Sequence, residues 1–323
     1  MKKLGWIYAC IIIVLIVLFN LGGLNKTTAN DENLNDNEQV VVVAESESNE
    51  ATAKDEAHTY EDAEEQANED NTEDEAEEEN EEKDAKDADN DEWDEDELMC
   101  VAELSDRAEL QLRRTGYLCS YNQDLLIPNW VGWVLTADHT DGTYKRNGIA
   151  FQEDMDAPEP RVNTYDYTSS GYDRGHLCPS GDCKWNPEAQ RESFLMTNIC
   201  PQDHNLNCGD WNELEIACRK WAKRYGKLYI VCGPILFRQK HKTIGKHKVT
   251  VPEAFFKVIL RLGDDPKAIG FIYRNESGNR KINSYVNTVD QVERITGMDF
   301  FPNLPQPLQD EVESTADVGD WGR

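Results

Sequence analysis

The chain has 323 residues and a formal net charge of −30 at pH 7. Most of that charge lies in residues 31–98, which carry 32 acidic residues and only three lysines. From Met99 onward there are 31 acidic and 27 basic residues, a net charge of −4, so the overall charge does not exclude a polyanionic partner for this part of the chain.

The first 25 residues predict an N-terminal signal anchor or a signal peptide. Lys2 and Lys3 precede an uncharged run dominated by IYACIIIVLIVLF, which is long enough to span a bilayer and would leave its N-terminus in the cytoplasm. A signal peptide cleaved near residues 27–29 is the alternative. Both interpretations predict an extracytoplasmic protein, either anchored in the membrane by this segment or secreted or periplasmic after cleavage.

Residues 26–98 predict a disordered acidic linker. They contain almost no apolar side chains apart from residues 40–43, so they cannot bury enough surface to offset the entropy lost on ordering. Such a segment is typical of an extended, self-repelling spacer. The alternative is that it folds over a basic cleft as an intramolecular mimic of nucleic acid.

Eight cysteines follow the linker, and their even number in an exported protein predicts disulfides, although the sequence cannot choose the pairing. The alternative is a zinc site that combines Cys178 and Cys183 with Cys200, His204 or Cys208. The spacings of these residues match no regular C-x-x-C pair.

Residues 99–310 predict one folded domain, followed by an acidic C-terminal tail at 311–323. The stretch NWVGWVLTA from Asn129 predicts a strand, because it alternates and is rich in β-branched and aromatic residues. Prolines and acids make residues 146–167 mostly loop. The stretch ESFLMTNICPQ predicts a second, short strand that Pro201 ends.

A helix is predicted next, with Asp210 as its N-cap and Gly226 as its stop. The stretches KLYIVCGPI, AFFKVILRL and KAIGFIYRN then predict strands, and TVDQVERITG predicts a short helix closed by Gly297. Because these elements do not alternate as βαβ units, the sequence predicts an α+β domain built on an antiparallel sheet.

The stretch SGYDRGHLCPSGDC, residues 170–183, contains side chains suited to phosphate chemistry. A neutral imidazole at His176 can take a proton from water near pH 7, and the guanidinium of Arg174 can hold a phosphate through two parallel hydrogen bonds. By itself the stretch also fits ordinary surface or capping residues.

A second stretch, TNICPQDHNLNCGDWNELEIACRKWA, suggests a metal ligand at the start of the predicted helix. The amide oxygen of Asn207 could face a hard cation such as Mg²⁺, and Glu215 could accept hydrogen bonds from the waters of that ion. Arg219 lies one turn further along. Taken singly, Asn207 could form a turn and the other two an ordinary surface pair.

Together the two stretches resemble the DNA/RNA non-specific endonucleases, the ββα-metal (His-Me finger) nucleases of the endonuclease G type. The motifs are D-R-G-H-x-x-P at 173–179, T-N-I-x-P-Q at 197–202 and L-N-x-G-x-W-x-x-L-E-x-x-x-R at 206–219. The likeness extends over about 117–305. It implies an α+β domain whose central antiparallel sheet is flanked by helices, and a Mg²⁺-dependent endonuclease in which Mn²⁺ can substitute.

The resemblance also implies residue roles. His176 matches the general base, Asn207 the direct metal ligand, and Glu215 the acid that orders the water shell of the metal. Further matches are Arg174 and Arg219 as phosphate-binding arginines, Asp173 and Asn198 as supporting residues, and, with a different loop spacing, Arg146 as another phosphate-binding arginine.

The partners that the resemblance implies are DNA and RNA, held through the phosphate backbone and cut without sequence preference to 5′-phosphate and 3′-hydroxyl ends. A homodimer and an inhibitor protein are further expectations. The sequence-based alternative is a nucleic-acid-binding or surface interaction protein of the same fold without catalysis.

Overall fold

A computed structural model describes residues 98–322. The predicted signal segment (1–25) lies outside the described residues, as does nearly all of the acidic linker (26–98). Among the described residues no helix has the length and apolar character needed to cross a membrane.

The fold is organised around a seven-stranded, fully antiparallel sheet in the order β1-β2-β3-β6-β9-β10-β11. Its strands are β1 (Leu110–Arg113), β2 (Leu118–Asn122), β3 (Ile127–Thr136), β6 (Lys227–Ile235), β9 (Ala254–Arg261), β10 (Lys267–Arg274) and β11 (Val286–Asn287). Two separate two-stranded ribbons pair β4 (Asp173–His176) with β5 (Ile199–Gln202), and β7 (Thr243–Ile244) with β8 (Val249–Thr250).

The central strands are buried on both faces, which explains why their sequences are continuous apolar runs. Neighbouring residues of β6 enter different cores, Ile230 on one side of the sheet and Val231 on the other. The strands predicted from NWVGWVLTA, KLYIVCGPI, AFFKVILRL and KAIGFIYRN are all present.

Helices cover both faces of the sheet. The described helices are α1 (Ala137–Thr140), α2 (Pro187–Glu192), α3 (His204–Leu206), α4 (Asn212–Tyr225), α5 (Val289–Thr296) and α6 (Gln306–Glu313). Trp211, just before α4, and Leu214 on it belong to one core, whereas Val292 of α5 and Val312 of α6 belong to the other. The predicted α+β class with a central antiparallel sheet flanked by helices is therefore confirmed.

The ribbon β4–β5 leads into the helical segment that contains α3 and α4, giving a β-β-α arrangement. The sequence predicted that Pro201 would end its strand, but β5 continues to Gln202. The proline is accommodated because a two-stranded ribbon leaves one edge of each strand unpaired, so the missing N–H of proline is not needed there.

The predicted N-cap at Asp210 is wrong. The helical segment begins earlier, because the Asp203 carboxylate accepts hydrogen bonds from the backbone N–H groups of Asn205 and Leu206 and caps α3. A π-helical turn, Asn207–Trp211, then joins α3 to α4. The end predicted at Gly226 is confirmed, and the φ of 83° there is one that glycine adopts without strain.

The prediction of disulfides is not supported. The six buried cysteines of the described part of the chain are free thiols, including Cys178 and Cys183, whose sulfurs lie 3.7 Å apart. Six of the eight are buried and pack as small apolar side chains, and this burial raises the pKa of thiols such as Cys119 and Cys200.

Residues 311–322, which the sequence predicted to be an acidic tail, are folded onto the domain. The boundary drawn at 310 falls inside α6, and the indole of Trp321 is 1% exposed. This indole contacts Trp221 of α4, with ring centroids 5.1 Å apart.

Candidate active site

The D-R-G-H motif forms strand β4, and its partner β5 comes from the T-N-I-x-P-Q motif. Gly175 lies opposite Cys200, and His176 lies opposite Ile199. A Cβ at position 175 would lie 2.1 Å from the side-chain oxygen of Gln202, so only glycine allows the two strands to pack this closely.

His176 lies between two aromatic rings. Its imidazole is 5.3 Å from the ring of Phe151 and 5.0 Å from that of Phe194. Its Nε2 atom is buried and has no hydrogen-bond partner among the described residues. Burial, reinforced by the positive charges of Arg146 and Arg174, lowers the pKa of His176 to about 3. The imidazole is therefore neutral at physiological pH, as a proton acceptor must be.

Two of the predicted phosphate-binding arginines surround this histidine. The guanidinium of Arg174 stacks 4.9 Å over Phe151 and donates to the hydroxyl of Thr164 at 2.9 Å. The guanidinium of Arg146 lies 5.4 Å over Phe194 and belongs to an exposed residue. The aromatic rings fix both cations on the side of the ribbon that carries the imidazole.

Asn198 has a structural role in this arrangement. Its buried side chain accepts a hydrogen bond from the backbone N–H of Cys178 and donates to the carbonyl oxygens of Cys178 and Ser193. These three bonds hold the loop after His176 in place. The supporting role of Asn198 in the site stays a prediction.

Asn207 and Asp173 join the helical segment to the ribbon. The amide nitrogen of Asn207 donates to Oδ2 of Asp173 at 3.0 Å, so its amide oxygen is the atom left to bind a cation. The same Asp173 oxygen is 2.9 Å from Nδ1 of His204. Asp173 and His176 are three residues apart on an extended strand, so their Cα atoms are separated by about 10 Å.

Glu215 and Arg219 lie one turn apart on α4, as predicted. The guanidinium of Arg219 donates a hydrogen bond to Oδ1 of the buried Asp182 at 2.9 Å. The other oxygen of Asp182 accepts a hydrogen bond from the indole of Trp133. Burial opposes the charge of Arg219, but Asp182 and Glu215 together raise its pKa, so the guanidinium is charged and held in one place.

Lys257 is fully buried in the core of the domain. Its ammonium nitrogen is 4.4 Å from the centre of the Trp211 ring and 5.3 Å from that of Trp133. Burial disfavours its charge, but Cys232 and Glu215 raise its pKa above the ordinary value. The positive charge therefore persists in the core and attracts the carboxylate of Glu215.

The predicted site residues lie on the ribbon β4–β5, on the loops beside this ribbon and on the helical segment that follows it. Sequence reasoning missed Asp182, Lys257, Phe151 and Phe194. Asp182 lies inside the stretch SGYDRGHLCPSGDC, but nothing in its spacing shows that it faces Arg219, which is 37 positions away. Phe151 lies in a stretch predicted to be loop and Phe194 in one predicted to be strand, and sequence reasoning assigned neither residue a role in the site.

Residues 101–307 match the family model described as DNA/RNA non-specific endonuclease. The zebrafish (Danio rerio) mitochondrial nuclease EXOG is 33% identical over 213 residues, which cover 61% of this chain and 62% of the zebrafish protein. Nuclease C1 of Cunninghamella echinulata is 34% identical over 210 residues, covering 60% and 83% of the two chains. This chain thus spans about three-fifths of the length of the EXOG relative.

A solved structure gives the same fold. In the crystal structure of the EndoG/EndoGI complex, titled as showing the mechanism of EndoG inhibition, one chain aligns with a TM-score of 0.58 and 28% sequence identity. The alignment covers 61% of this chain and 87% of that one.

Proposed function

The chain belongs to the DNA/RNA non-specific endonuclease family, and on that premise we propose that it is a Mg²⁺-dependent endonuclease. It hydrolyses phosphodiester bonds of DNA and RNA without sequence preference, leaving 5′-phosphate and 3′-hydroxyl ends. One observation carries the proposal: the hydrogen bond from Asn207 to Asp173 joins the strand that ends in His176 to the helical segment that leads to Glu215.

His176 acts as the general base. Its neutral imidazole accepts the proton of the attacking water. Burial, reinforced by the positive charges of Arg146 and Arg174, keeps the imidazole neutral by lowering its pKa. When a phosphate pairs with these arginines their charge is offset, so the basicity of the imidazole rises as substrate binds.

The donor set fits Mg²⁺. Asn207 offers an amide oxygen whose direction is set by the bond of its nitrogen to Asp173, and Glu215 offers a carboxylate on the next turns of the helix. Hard oxygen donors with few direct protein ligands are what this ion prefers. When bound, the ion would supply Lewis-acid stabilisation of the charge on the phosphate and the leaving oxygen. The hydrogen bond to Asp173 would keep the amide oxygen of Asn207 directed towards the ion.

The arginines bind phosphate oxygens to different degrees. Arg174 and Arg146 lie beside the base, and each can donate charge-assisted hydrogen bonds. Arg219 already gives Nη1 to Asp182, so its other N–H groups are the ones left for a phosphate. Because all these contacts reach the backbone of the nucleic acid, binding should be steeply salt-dependent and insensitive to sequence.

We propose the same location as the sequence suggests, outside the cytoplasm, with the domain anchored by residues 1–25 or released by cleavage. An inhibitor protein and a homodimer are further proposed partners. The inhibitor has a parallel in the solved EndoG/EndoGI complex.

The experiment incubates the full chain with plasmid DNA and with RNA, in the presence of Mg²⁺, Mn²⁺ or EDTA. Both substrates should be cut with Mg²⁺ and spared with EDTA. His176→Ala should lose several orders of magnitude in rate while unfolding at the same temperature as the unchanged chain. Binding of DNA by the unchanged chain without any cleavage in Mg²⁺ would favour the non-catalytic alternative.

A further inference from the structure

A second group of metal-ligand atoms lies beside the proposed magnesium site. Oδ2 of Asp173 is 2.9 Å from Nδ1 of His204, and Sγ of Cys208 is 3.8 Å from the same nitrogen. All three ligand atoms lie within 4.8 Å of one another. His204 and Cys208 are exposed residues, so a cation can reach them from solvent.

The chain places these atoms together by helical spacing. His204 is the first residue of α3 and Cys208 lies four positions later in the π-helical turn, so both side chains project from one side of the helical segment. Asp173 reaches them from β4. In a tetrahedral zinc site the ligand atoms are about 3.3–3.8 Å apart, given bond lengths of about 2.0–2.3 Å. The separations of 2.9 and 3.8 Å lie close to this range, and the third is no more than 4.8 Å.

We propose that Asp173, His204 and Cys208 form a binding site for Zn²⁺ or a metal of similar softness, and that its occupation inhibits the nuclease. The nitrogen, sulfur and oxygen donors are those that zinc takes, with water as a fourth ligand. A thiolate is a poor ligand for Mg²⁺, so the two ions are sorted by ligand chemistry. The zinc alternative considered from the sequence combined Cys178 and Cys183 with Cys200, His204 or Cys208, whereas the site proposed here contains neither Cys178 nor Cys183 and has a carboxylate as its third ligand.

Inhibition follows from the shared aspartate, and this step rests on the proposed function. Oδ2 of Asp173 is the atom that accepts the amide hydrogen of Asn207. A zinc ion bound to that oxygen competes with the amide for it, so Asn207 is no longer held in its orientation. Because Asn207 also lies between His204 and Cys208 along the chain, closing these residues around zinc moves it further.

The binding test is independent of nuclease activity. The reduced full chain carrying His176→Ala is titrated with Co²⁺, which reports thiolate ligation by a charge-transfer band in the near ultraviolet. One Co²⁺ per chain should produce the band, and Zn²⁺ should abolish it. The band should disappear when Cys208→Ser is added and persist with Cys100→Ser, a matched loss of a partly exposed thiol. No band, or a band that survives Cys208→Ser, overturns the site.

The inhibition test compares the active chain with Cys208→Ser at fixed Mg²⁺ and increasing Zn²⁺. Cys208→Ser should retain its rate without zinc within about twofold and should need roughly tenfold more Zn²⁺ or more for half inhibition. Equal zinc sensitivity in the two proteins refutes the inhibitory role. If neither protein cuts DNA, the proposed function fails, and the cobalt titration still decides whether the site exists.

Discussion

Asn207 donates its side-chain amide to Oδ2 of Asp173 across 3.0 Å, and this bond links the helical segment of the site to its ribbon. The consequence is directional: the amide nitrogen is used within the protein and the amide oxygen is left for a cation.

The first prediction tests this direction. Asn207→Ala should raise the Mg²⁺ concentration needed for half-maximal rate and lower the maximal rate by about 100-fold or more, because the only proposed direct protein ligand is lost. Asn205→Ala is the matched control, since Asn205 is exposed and lies two positions away on the same segment. The measurement is the rate of plasmid cleavage against Mg²⁺. An unchanged magnesium dependence in Asn207→Ala would remove Asn207 from the metal site.

The second prediction concerns the pH dependence of the base. Burial and the charges of Arg146 and Arg174 lower the pKa of His176 to about 3, so the active neutral imidazole persists far below the ordinary value of 6.5. The acid limb of the kcat/KM profile, which reports the free enzyme, should therefore lie well below pH 6.5.

The matched variants of this prediction change one charge each. Arg146→Gln removes a positive charge near the imidazole, so it should raise the pKa of His176 and move the acid limb to higher pH. Lys145→Gln removes an exposed charge at the neighbouring position and should leave the limb where it is. Equal shifts in the two variants would mean that net charge, not Arg146, sets the basicity.

The third prediction concerns the tether of Arg219. Asp182→Asn removes the carboxylate that accepts from Arg219, and it should reduce the free energy of unfolding by about 1.5–3 kcal/mol, the usual contribution of a charged hydrogen bond. Asp141→Asn breaks the exposed pair with Lys223 and should cost less than about 1 kcal/mol. Urea unfolding of both variants measures the difference. Similar losses in both would contradict a special role for the buried aspartate.

The fourth prediction concerns Glu313 in α6, which is 6% exposed and lies near the carboxylates of Asp290 and Glu293. Burial, followed by the charges of Glu293 and Asp290, raises its pKa from 4.5 to about 8. The folded state therefore keeps a proton that the unfolded chain releases above pH 4.5. The stability lost through this group grows as the pH rises from about 4.5 to 8.

Glu313→Gln removes the titrating carboxyl group, and with it the loss of folding stability that this group causes above pH 4.5. The variant should be more stable than the unchanged chain by on the order of 3 kcal/mol near pH 7, and the gain should vanish near pH 4.5. Glu311→Gln, a change at an exposed position of the same helix, should show no such pH dependence. Thermal unfolding from pH 4.5 to 8 is the measurement, and a gain that is constant with pH would rule out the raised pKa as its cause.

Local sequence predicted the strands and suggested the candidate site residues for different reasons. The central strands are continuous apolar runs. A strand that is buried on both faces needs apolar side chains at successive positions, so its sequence alone indicates it. His176, Asn207 and Glu215 could be assigned because their motifs resemble a family in which these residue types have defined roles. Neither inference needs distances.

The start of the helical segment shows where local signals compete. Asp203 and Asp210 are both acceptable N-caps, and the sequence alone favoured Asp210. In the fold Asp210 turns into the interior, where its carboxylate accepts a hydrogen bond from the backbone N–H of Asn279 and contacts the hydroxyl of Tyr285. Which aspartate caps the helix therefore depends on residues about 70 positions away, and a local sequence pattern cannot predict it.

The amino-acid sequence by itself determined the long strands of the sheet, the motif residues and the nearly neutral charge balance of the folded part, because each can be read from the sequence without knowing which residues meet in space. Only the tertiary structure decided which side chains meet: Asp182 with Arg219, Lys257 with Trp211, and His204 and Cys208 with Asp173. It also left the six buried cysteines as free thiols. Contacts of this kind depend on how the strands and helices pack, and spacing along the chain does not encode the distance between atoms.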